Sequence, residues 1–217
     1  MHKKITAVIP VRKGSIRVKN KNIKPFGNTS LLELKIDLLK QVVGIGEIIV
    51  NSDSQEMLDV AKRKNVNTFL RDEYFASSIV NNSEYFEHIA KITPADHIMY
   101  APVTCPFVSK NTFEKCINIY QELEEHDSLM TAFDVKHHMW LSGKPINYDP
   151  KNSPNSQDLP EILGVHYGAS IISKKNCIEN RNVIGKNPFF VKLNEIESID
   201  IDTELEFKFA EYIYNSL

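Results

Sequence analysis

Residues 5–23 read ITAVIPVRKGSIRVKNKNI, and this stretch decides how the chain begins to fold. Its first five residues carry no charge and are mostly β-branched, which is typical of a buried strand. The residues after Pro10 are basic and polar and include Gly14, so the strand ends there and a loop begins. A buried strand that runs into a basic loop indicates a binding site for an anion.

Working outward, short apolar runs alternate with helical patterns as far as residue 135. Ser30 and Glu33 have the spacing of a capping box in front of a helical pattern over residues 31–43. This alternation predicts an α/β fold with a mostly parallel central sheet flanked by helices on both faces. Further strands are predicted at 47–50, 66–70, 97–101, 128–135, 166–172 and 189–193, and further helices at 55–64, 82–92, 111–124 and 203–214.

This pattern gives one helix boundary and the expected place of the site. Asn111 and Glu114 look like the start signal of the 111–124 helix. In a parallel sheet, ligands bind outside the carboxyl ends of the strands. The loops after Ile9, Asn51 and Ala101 are therefore where a site is expected.

Length and composition predict a soluble, cytoplasmic protein. At 217 residues, the chain fits one domain spanning 1–217. It has no apolar run of about 18 residues, so we expect no membrane partner, and its N-terminus lacks a small-residue cleavage site. The three cysteines lack CxxC spacing, which argues against a disulfide framework or a zinc site and is typical of a reducing compartment.

The charge of the chain is unevenly distributed. Eight cations precede Glu33, the first acidic residue, so residues 1–32 carry +8 and the rest carries −10 of a net charge of −2. This asymmetry favours an anion site in the first segment. The alternatives are a solvated basic surface or a nucleic-acid arm. Nucleic acid is disfavoured because the segment is short, has one aromatic residue (Phe26) and lacks an RNA-binding signature.

The basic loop has the residue types that a triphosphate requires. Gly14 allows the backbone to approach closely, and Ser15 offers a hydroxyl group. Arg12, Arg17 and Lys21 can neutralise phosphate oxygens, including the charge that develops on a leaving pyrophosphate. The loop matches neither GxxxxGK[ST] nor GxGxxG, so it is not one of the common phosphate-binding motifs.

Two aspartates near the end of the chain form a candidate metal site. Asp200 and Asp202 alternate with isoleucines, so an extended segment places both carboxylates on one face. Adjacent carboxylates repel unless a cation joins them, which suits Mg²⁺ bound beside phosphate oxygens. The alternative is that Asp202 caps the last helix, but Thr203 and Glu206 supply a capping box of their own.

Between the sheet and these aspartates, residues 137–160 break the pattern. Four prolines interrupt this stretch, so it is an excursion from the sheet and suggests a flap or an arm to a second subunit.

Stretch 9–23 resembles the I-P-A-R-x-G-S-K-x-x-x-x-K-N-I signature of acylneuraminate-type cytidylyltransferases. The resemblance continues in family order over most of the chain. The further segments are 48–53 (IIVNSD), 69–72 (FLRD), 103–107 (VTCPF), 156–160 (SQDLP), 166–169 (HYGA) and 198–205 (SIDIDTEL). The family makes CMP-activated nonulosonic acids, so the resemblance implies a Rossmann-like nucleotidyltransferase (GT-A-like) fold with a small dimerisation arm.

The resemblance also implies roles for particular residues. It implies that CTP and a small acidic sugar are the substrates, that Mg²⁺ is the cofactor and that the chain forms a homodimer through the 137–160 arm. Asp200 and Asp202 match the metal-binding aspartates, and Arg71 matches an arginine near the base and ribose. The implied catalytic residues are Arg12, Lys21 and Asp202, and the implied substrate-binding residues are Gly14, Ser15, Arg17, Asn22, Arg71, Ser77 and Gln157.

The chain departs from the family mainly on the acceptor side. Pro102, Ser156 and Tyr167 replace a glutamine, an arginine and an asparagine of the family, and Ile16 replaces a lysine of the loop. The acceptor therefore stays open between an unusual nonulosonate, another acidic sugar and a phosphonate. A non-catalytic nucleotide-binding protein on the same fold is the remaining alternative. The sequence indicates no general base.

Overall fold

The computed structural model of the chain describes residues 3–14, 17–77 and 79–217. Its eleven strands are β1 (Ile5–Pro10), β2 (Pro25–Phe26), β3 (Thr29–Ser30), β4 (Ile45–Ser52), β5 (Asn67–Leu70), β6 (His97–Tyr100), β7 (Ser128–Asp134), β8 (Trp140–Leu141), β9 (Lys144–Pro145), β10 (Leu163–Ser173) and β11 (Pro188–Lys192). Seven of them form one sheet in the order β11-β7-β10-β6-β1-β4-β5. Strand β1 lies between β4 and β6. The strands that follow β1 are therefore added first on one side of it and then on the other, so the strand order reverses beside β1.

Most neighbours in the sheet run parallel. Strand β1 is parallel to β4 and β6, β4 is parallel to β5, and β7 is parallel to β11. Strand β10 is antiparallel to both β6 and β7, and its register with β7 shifts between His166 and Ser170. The predicted α/β fold with a mostly parallel sheet is therefore confirmed.

In the described part of the chain, seven α-helices accompany the sheet. They are α1 (Leu31–Leu39), α2 (Gln55–Arg63), α3 (Glu73–Ala76), α4 (Asn82–Ile92), α5 (Lys110–Glu122), α6 (Lys174–Asn180) and α7 (Glu204–Tyr214). The buried apolar residues form two clusters on opposite faces of the sheet, to which Ala7 and Val8 of β1 contribute separately. One cluster contains residues of α1, α2, α5 and α7, and the other contains residues of α4 and α6.

The caps explain where the helices begin. The Ser30 side chain accepts a hydrogen bond from the Glu33 N–H at the start of α1, and Thr203 and Glu206 form the capping box of α7, as predicted. The predicted start signal of α5 was wrong. Ser109 is its cap and accepts from the Thr112 N–H, while Asn111 lies exposed inside the first turn. Helix α1 also ends at Leu39, four residues before the predicted boundary.

The short elements were missed by the sequence prediction. Helix α3 has four residues and the β2–β3 and β8–β9 ribbons have two-residue strands, so none is long enough to show a periodicity. The β8–β9 ribbon lies in the 137–160 stretch, which is indeed an excursion from the sheet. Asn147 holds this arm together by accepting from the Met139 N–H and donating to the His137 carbonyl oxygen.

Among the described residues, no helix is long and apolar enough to cross a membrane. The three cysteines are free and buried.

The corrected cap of α5 gives a test of the fold. We expect Ser109→Ala to lower the free energy of unfolding by about 1 kcal/mol, because the Thr112 N–H loses its acceptor. The matched control is Asn111→Ala, which alters the residue that the sequence pattern pointed to and should leave stability nearly unchanged. Urea unfolding of both variants measures the difference, and equal losses would contradict the assignment of the cap.

Candidate functional site

A cavity of about 610 Å³ opens at the carboxyl ends of β1 and β6. This is the edge of the sheet where the sequence placed the site, next to the point where the strand order reverses. Seven of the predicted site residues line it together: Arg12, Arg17, Lys21, Asn22, Arg71, Ser77 and Asp202. Four of these are cations and one is a carboxylate, so the cavity suits a ligand that carries several negative charges.

The loop after β1 is fixed to the neighbouring strand. The Val11 N–H donates to the Asn51 carbonyl oxygen at 3.0 Å, and the Lys13 N–H donates to the Asp53 carboxylate at 2.9 Å. Asp53 therefore holds the loop, and Ser54 is the cap of α2. Gly14 has φ +71° and open space around its α-carbon, a conformation that favours glycine. Ser15, predicted to bind the substrate, lies outside the described residues.

Lys21 and Asn22 close the base of the loop, and both are buried. Lys21 Nζ donates to the backbone carbonyl oxygen of Ile201, and it lies 4.0 Å from Asp202 Oδ1. Burial lowers the pKa of Lys21, while the carboxylates of Asp202 and Asp200 oppose that shift. Asn22 Nδ2 donates to the Arg12 carbonyl oxygen at 3.1 Å, which orders the backbone beside the cavity.

The segment 199–202 brings the aspartates to this loop. Ile201 is fully buried and its N–H donates to the Thr104 carbonyl oxygen at 2.9 Å, whereas Asp200 is exposed. Asp202 Oδ1 lies 2.8 Å from Arg17 Nη2, in a pair that is exposed on both sides. A buried Ile201 and a partly buried Ile199 beside outward aspartates agree with the sequence pattern. The cap of α7 is Thr203, which leaves the Asp202 carboxylate free of that task.

The aspartates fit a magnesium ion better than a metal that requires a full set of protein ligands. Among residues 3–14, 17–77 and 79–217, no group of three or more His, Cys, Asp or Glu side chains could hold a metal ion. Mg²⁺ usually keeps several waters and takes one or two carboxylates together with substrate phosphates. Asp200 and Asp202 beside a cationic cavity provide that donor set.

Arg71 forms the opposite wall of the cavity and is 4% exposed. Its Nε donates to Asn51 Oδ1 at 2.7 Å and its Nη2 donates to the Asn51 carbonyl oxygen at 2.8 Å. The guanidinium also lies 4.4 Å from the ring centroid of Tyr85. Burial lowers the pKa of Arg71 and raises the pKa of Tyr85. Arg71 is therefore a buried part of the cavity wall and not a surface side chain.

Helix α3 completes this wall. The Arg12 guanidinium donates to the Ala76 carbonyl oxygen at 2.9 Å, which joins the loop after β1 to the end of α3. Ser77 donates its hydroxyl to the Tyr74 carbonyl oxygen and lines the cavity. Phe75 also lines the cavity and stacks on His88 with the ring centroids 3.9 Å apart.

Two of the departures from the family, Pro102 and Tyr167, lie on the side of Tyr100. Pro102 lines the cavity, and Tyr167 packs edge-on against the cavity residue Tyr100 with centroids 6.3 Å apart. Tyr167 belongs to the register shift of β10, where Gly168 allows a close approach to Val108. Gln157, in contrast, lies exposed in a 3-10 turn of the arm and does not line the cavity.

The sequence did not single out several residues that shape the site. Asn51 holds both Arg71 and the loop after β1, and its position at the end of a predicted strand was the signal that could have revealed it. Tyr85, Tyr100 and Thr104 gave no separate signal. Lys35 lies on a helical face that reads as core, and it is nevertheless a buried cation.

An α/β sheet with a cationic cavity at its switch point defines a protein built to bind an anionic nucleotide or a similar ligand. Residues 6–154 match the model of the family described as Cytidylyltransferase, which is more than half of the chain. The chain therefore belongs to the cytidylyltransferase family, whose members are nucleotidyltransferases that use CTP.

Individual relatives are distant but similar over most of the chain. The N-acylneuraminate cytidylyltransferase of Escherichia coli O18:K1:H7 is 24% identical, over 97% of this chain and 52% of that protein. The CMP-N,N'-diacetyllegionaminic acid synthase of Campylobacter jejuni is 22% identical, over 96% of this chain and 94% of that protein. A CMP:2-keto-3-deoxy-manno-octonic acid synthetase, solved with CTP, has the same fold, with a TM-score of 0.75, 13% identity and 99% coverage of both chains.

Proposed function

We propose that this chain transfers CMP from CTP to an acidic, nonulosonic-acid-like sugar and releases pyrophosphate. The observation that carries this proposal is the convergence of four cations and the Asp202 carboxylate in one cavity. Names of relatives that make CMP-N,N'-diacetyllegionaminic acid or act as N-acylneuraminate cytidylyltransferases support the class of acceptor.

The buried and the exposed cations of the cavity would have different roles in the reaction. Lys21 is held by the Ile201 carbonyl and cannot move far, so it would provide a fixed positive charge against the phosphates. Arg12 and Arg17 are exposed and can move, so they would neutralise the negative charge that develops on the departing pyrophosphate. Gly14, Ser15 and Asn22 would orient the nucleotide through the backbone of the loop.

Asp200 and Asp202 would hold Mg²⁺, and the bound ion would neutralise charge on the phosphates during the displacement. Arg17 now pairs with Asp202 at 2.8 Å, and exposed pairs of this kind contribute about 0–1 kcal/mol. Separating them therefore costs little. We expect Arg17 to turn to a phosphate and Asp202 to the cation when the substrates bind.

The opposite wall would receive the nucleoside. Arg71 lines the cavity and is fixed by Asn51 and by the Tyr85 ring, so its guanidinium would meet the nucleoside in a defined orientation. Ser77 lies on the same wall. The aromatic side with Tyr100 and Tyr167 is left for the acceptor, and its lack of the family's polar residues makes a modified nonulosonate a better fit than sialic acid.

Replacement of Arg71 tests the nucleoside wall. We expect Arg71→Gln to weaken CTP binding about tenfold or more, because a buried charge-assisted donor is lost. The control is Arg63→Gln, which removes an exposed arginine at the end of α2. Isothermal titration of CTP into both variants measures the effect, and identical affinities would exclude Arg71 from the nucleotide site.

Pyrophosphate release tests the reaction itself. With CTP, Mg²⁺ and a panel of nonulosonic acids, other acidic sugars and phosphonates, we expect release with an acidic sugar. Asp202→Asn should lower turnover at least about 100-fold without unfolding the chain, because the cation loses a ligand. The control is Asp59→Asn, an exposed carboxylate on α2. Undiminished turnover in Asp202→Asn would refute the metal assignment, and CTP binding without release would favour the non-catalytic alternative.

We further propose that the chain forms a homodimer through the arm. Trp140, Leu141 and Ile146 are 57%, 66% and 51% exposed there, and large apolar side chains grouped on one protrusion favour burial against a second surface. Gln157 on the same arm would then serve the neighbouring subunit's site.

Sedimentation velocity tests the dimer. We expect a mass near twice 24.8 kDa for the unmodified chain and a shift to monomer for Leu141→Lys. Leu205→Lys is the control, because Leu205 is 77% exposed on α7, outside the arm. Monomers in the unmodified chain would contradict the proposal.

A further inference from the structure

Lys35 is a cation buried in the core beneath the site. It lies on the buried face of α1 with Leu31, Leu32, Ile36 and Leu39, and it is 1% exposed. Burying a charge costs free energy unless the surroundings compensate for it. A lysine at this position therefore requires an explanation that the apolar face of α1 does not provide.

The contacts of Lys35 point toward the aspartate segment. Its Nζ donates to the Cys105 carbonyl oxygen at 2.8 Å and lies 5.1 Å from the Phe113 ring centroid. Burial lowers its pKa to about 8, and the Asp200 carboxylate opposes that shift. Burial raises the pKa of the Cys105 thiol to about 12, so this thiol is neutral near pH 7.

The Cys105 carbonyl oxygen, which accepts from Lys35, adjoins in sequence the Thr104 carbonyl oxygen, which holds the aspartate segment. Thr104 precedes Cys105, and its carbonyl oxygen accepts from the Ile201 N–H at 2.9 Å. Ile201 lies between Asp200 and Asp202, and its own carbonyl oxygen accepts from Lys21. Two buried lysines thus hold the segment, Lys21 directly and Lys35 through the 104–105 backbone.

We propose that Lys35 is a positioning residue for the cation site, which fixes the 104–105 backbone and thereby the geometry of Asp200 and Asp202. The inference rests on the proposed function, since it assumes that these aspartates bind a divalent cation. Lys35 would not touch either substrate. Residues that orient metal ligands from behind typically change metal affinity by about 10- to 100-fold when they are replaced.

A role in stability alone predicts a different result. Burying the Lys35 ammonium group costs free energy, so an apolar methionine removes that cost and gives up one hydrogen bond to the Cys105 carbonyl oxygen. Lys35→Met should therefore stay folded and melt near the temperature of the unmodified chain, while its cation site is misaligned. Lys35→Gln, which keeps a shorter donor, provides a second variant if Lys35→Met does not fold.

The test is a Mn²⁺ titration in the presence of CTP and without acceptor, in which electron paramagnetic resonance measures free Mn²⁺. We expect Lys35→Met to raise the Mn²⁺ concentration at half-saturation about tenfold. CTP binding in the absence of a divalent cation should be unchanged. Ile36→Val, a conservative change of a fully buried neighbour on α1, should melt slightly lower and bind Mn²⁺ normally.

The possible outcomes distinguish the role of Lys35 from the existence of the metal site. Unchanged Mn²⁺ affinity in Lys35→Met would overturn the role of Lys35 and leave the proposed function intact. Mn²⁺ binding could also weaken merely because the variants melt at a lower temperature. Equal weakening in Lys35→Met and Ile36→Val would show this and would also overturn the role of Lys35. An unmodified chain that binds CTP but no Mn²⁺ would overturn the metal site of the proposed function and this inference with it.

Discussion

The buried hydrogen bond from Lys21 to the Ile201 carbonyl oxygen joins the two ends of the chain at the site. Lys21 follows the first strand of the sheet, and Ile201 precedes the last helix. Three of the eight cations in residues 1–32 therefore meet Asp202 of an otherwise acidic body in one cavity; they are Arg12, Arg17 and Lys21. Three further contacts stabilise this meeting point. Asp53 anchors the β1 loop, the Thr104 carbonyl oxygen accepts from the Ile201 N–H, and Lys35 holds the Cys105 carbonyl oxygen.

The cavity divides into a rigid half and an adjustable half. Lys21, Asn22 and Arg71 are buried and each has a fixed protein partner. Arg12 and Arg17 are exposed and hold weaker, solvent-screened contacts. Such a division suits a transfer reaction, in which one part of the substrate must stay in place while charge moves to the leaving group.

The sequence predicted the sheet and the helices with strong periodicity, because burial of β1 and the alternating patterns leave few other solutions. The strand pattern also predicted the edge of the sheet at which the site lies. The family resemblance added Arg71 and Ser77, which line the cavity, and Gln157, which does not. The sequence did not reveal Ser109 as the cap of α5, because Asn111 offered a competing signal nearby. It could not reveal Lys35, because a single lysine on an apolar helical face gives no indication of its partner across the core.

A crystal structure of the chain with CTP and Mg²⁺ tests most directly whether the cavity at the end of β1 is the CTP site. We predict the triphosphate between Arg12, Arg17 and Lys21, the cation on Asp200 and Asp202, and the nucleoside against Arg71 and Ser77. A nucleotide bound elsewhere on the chain, or a cation bound without either aspartate, would contradict the account.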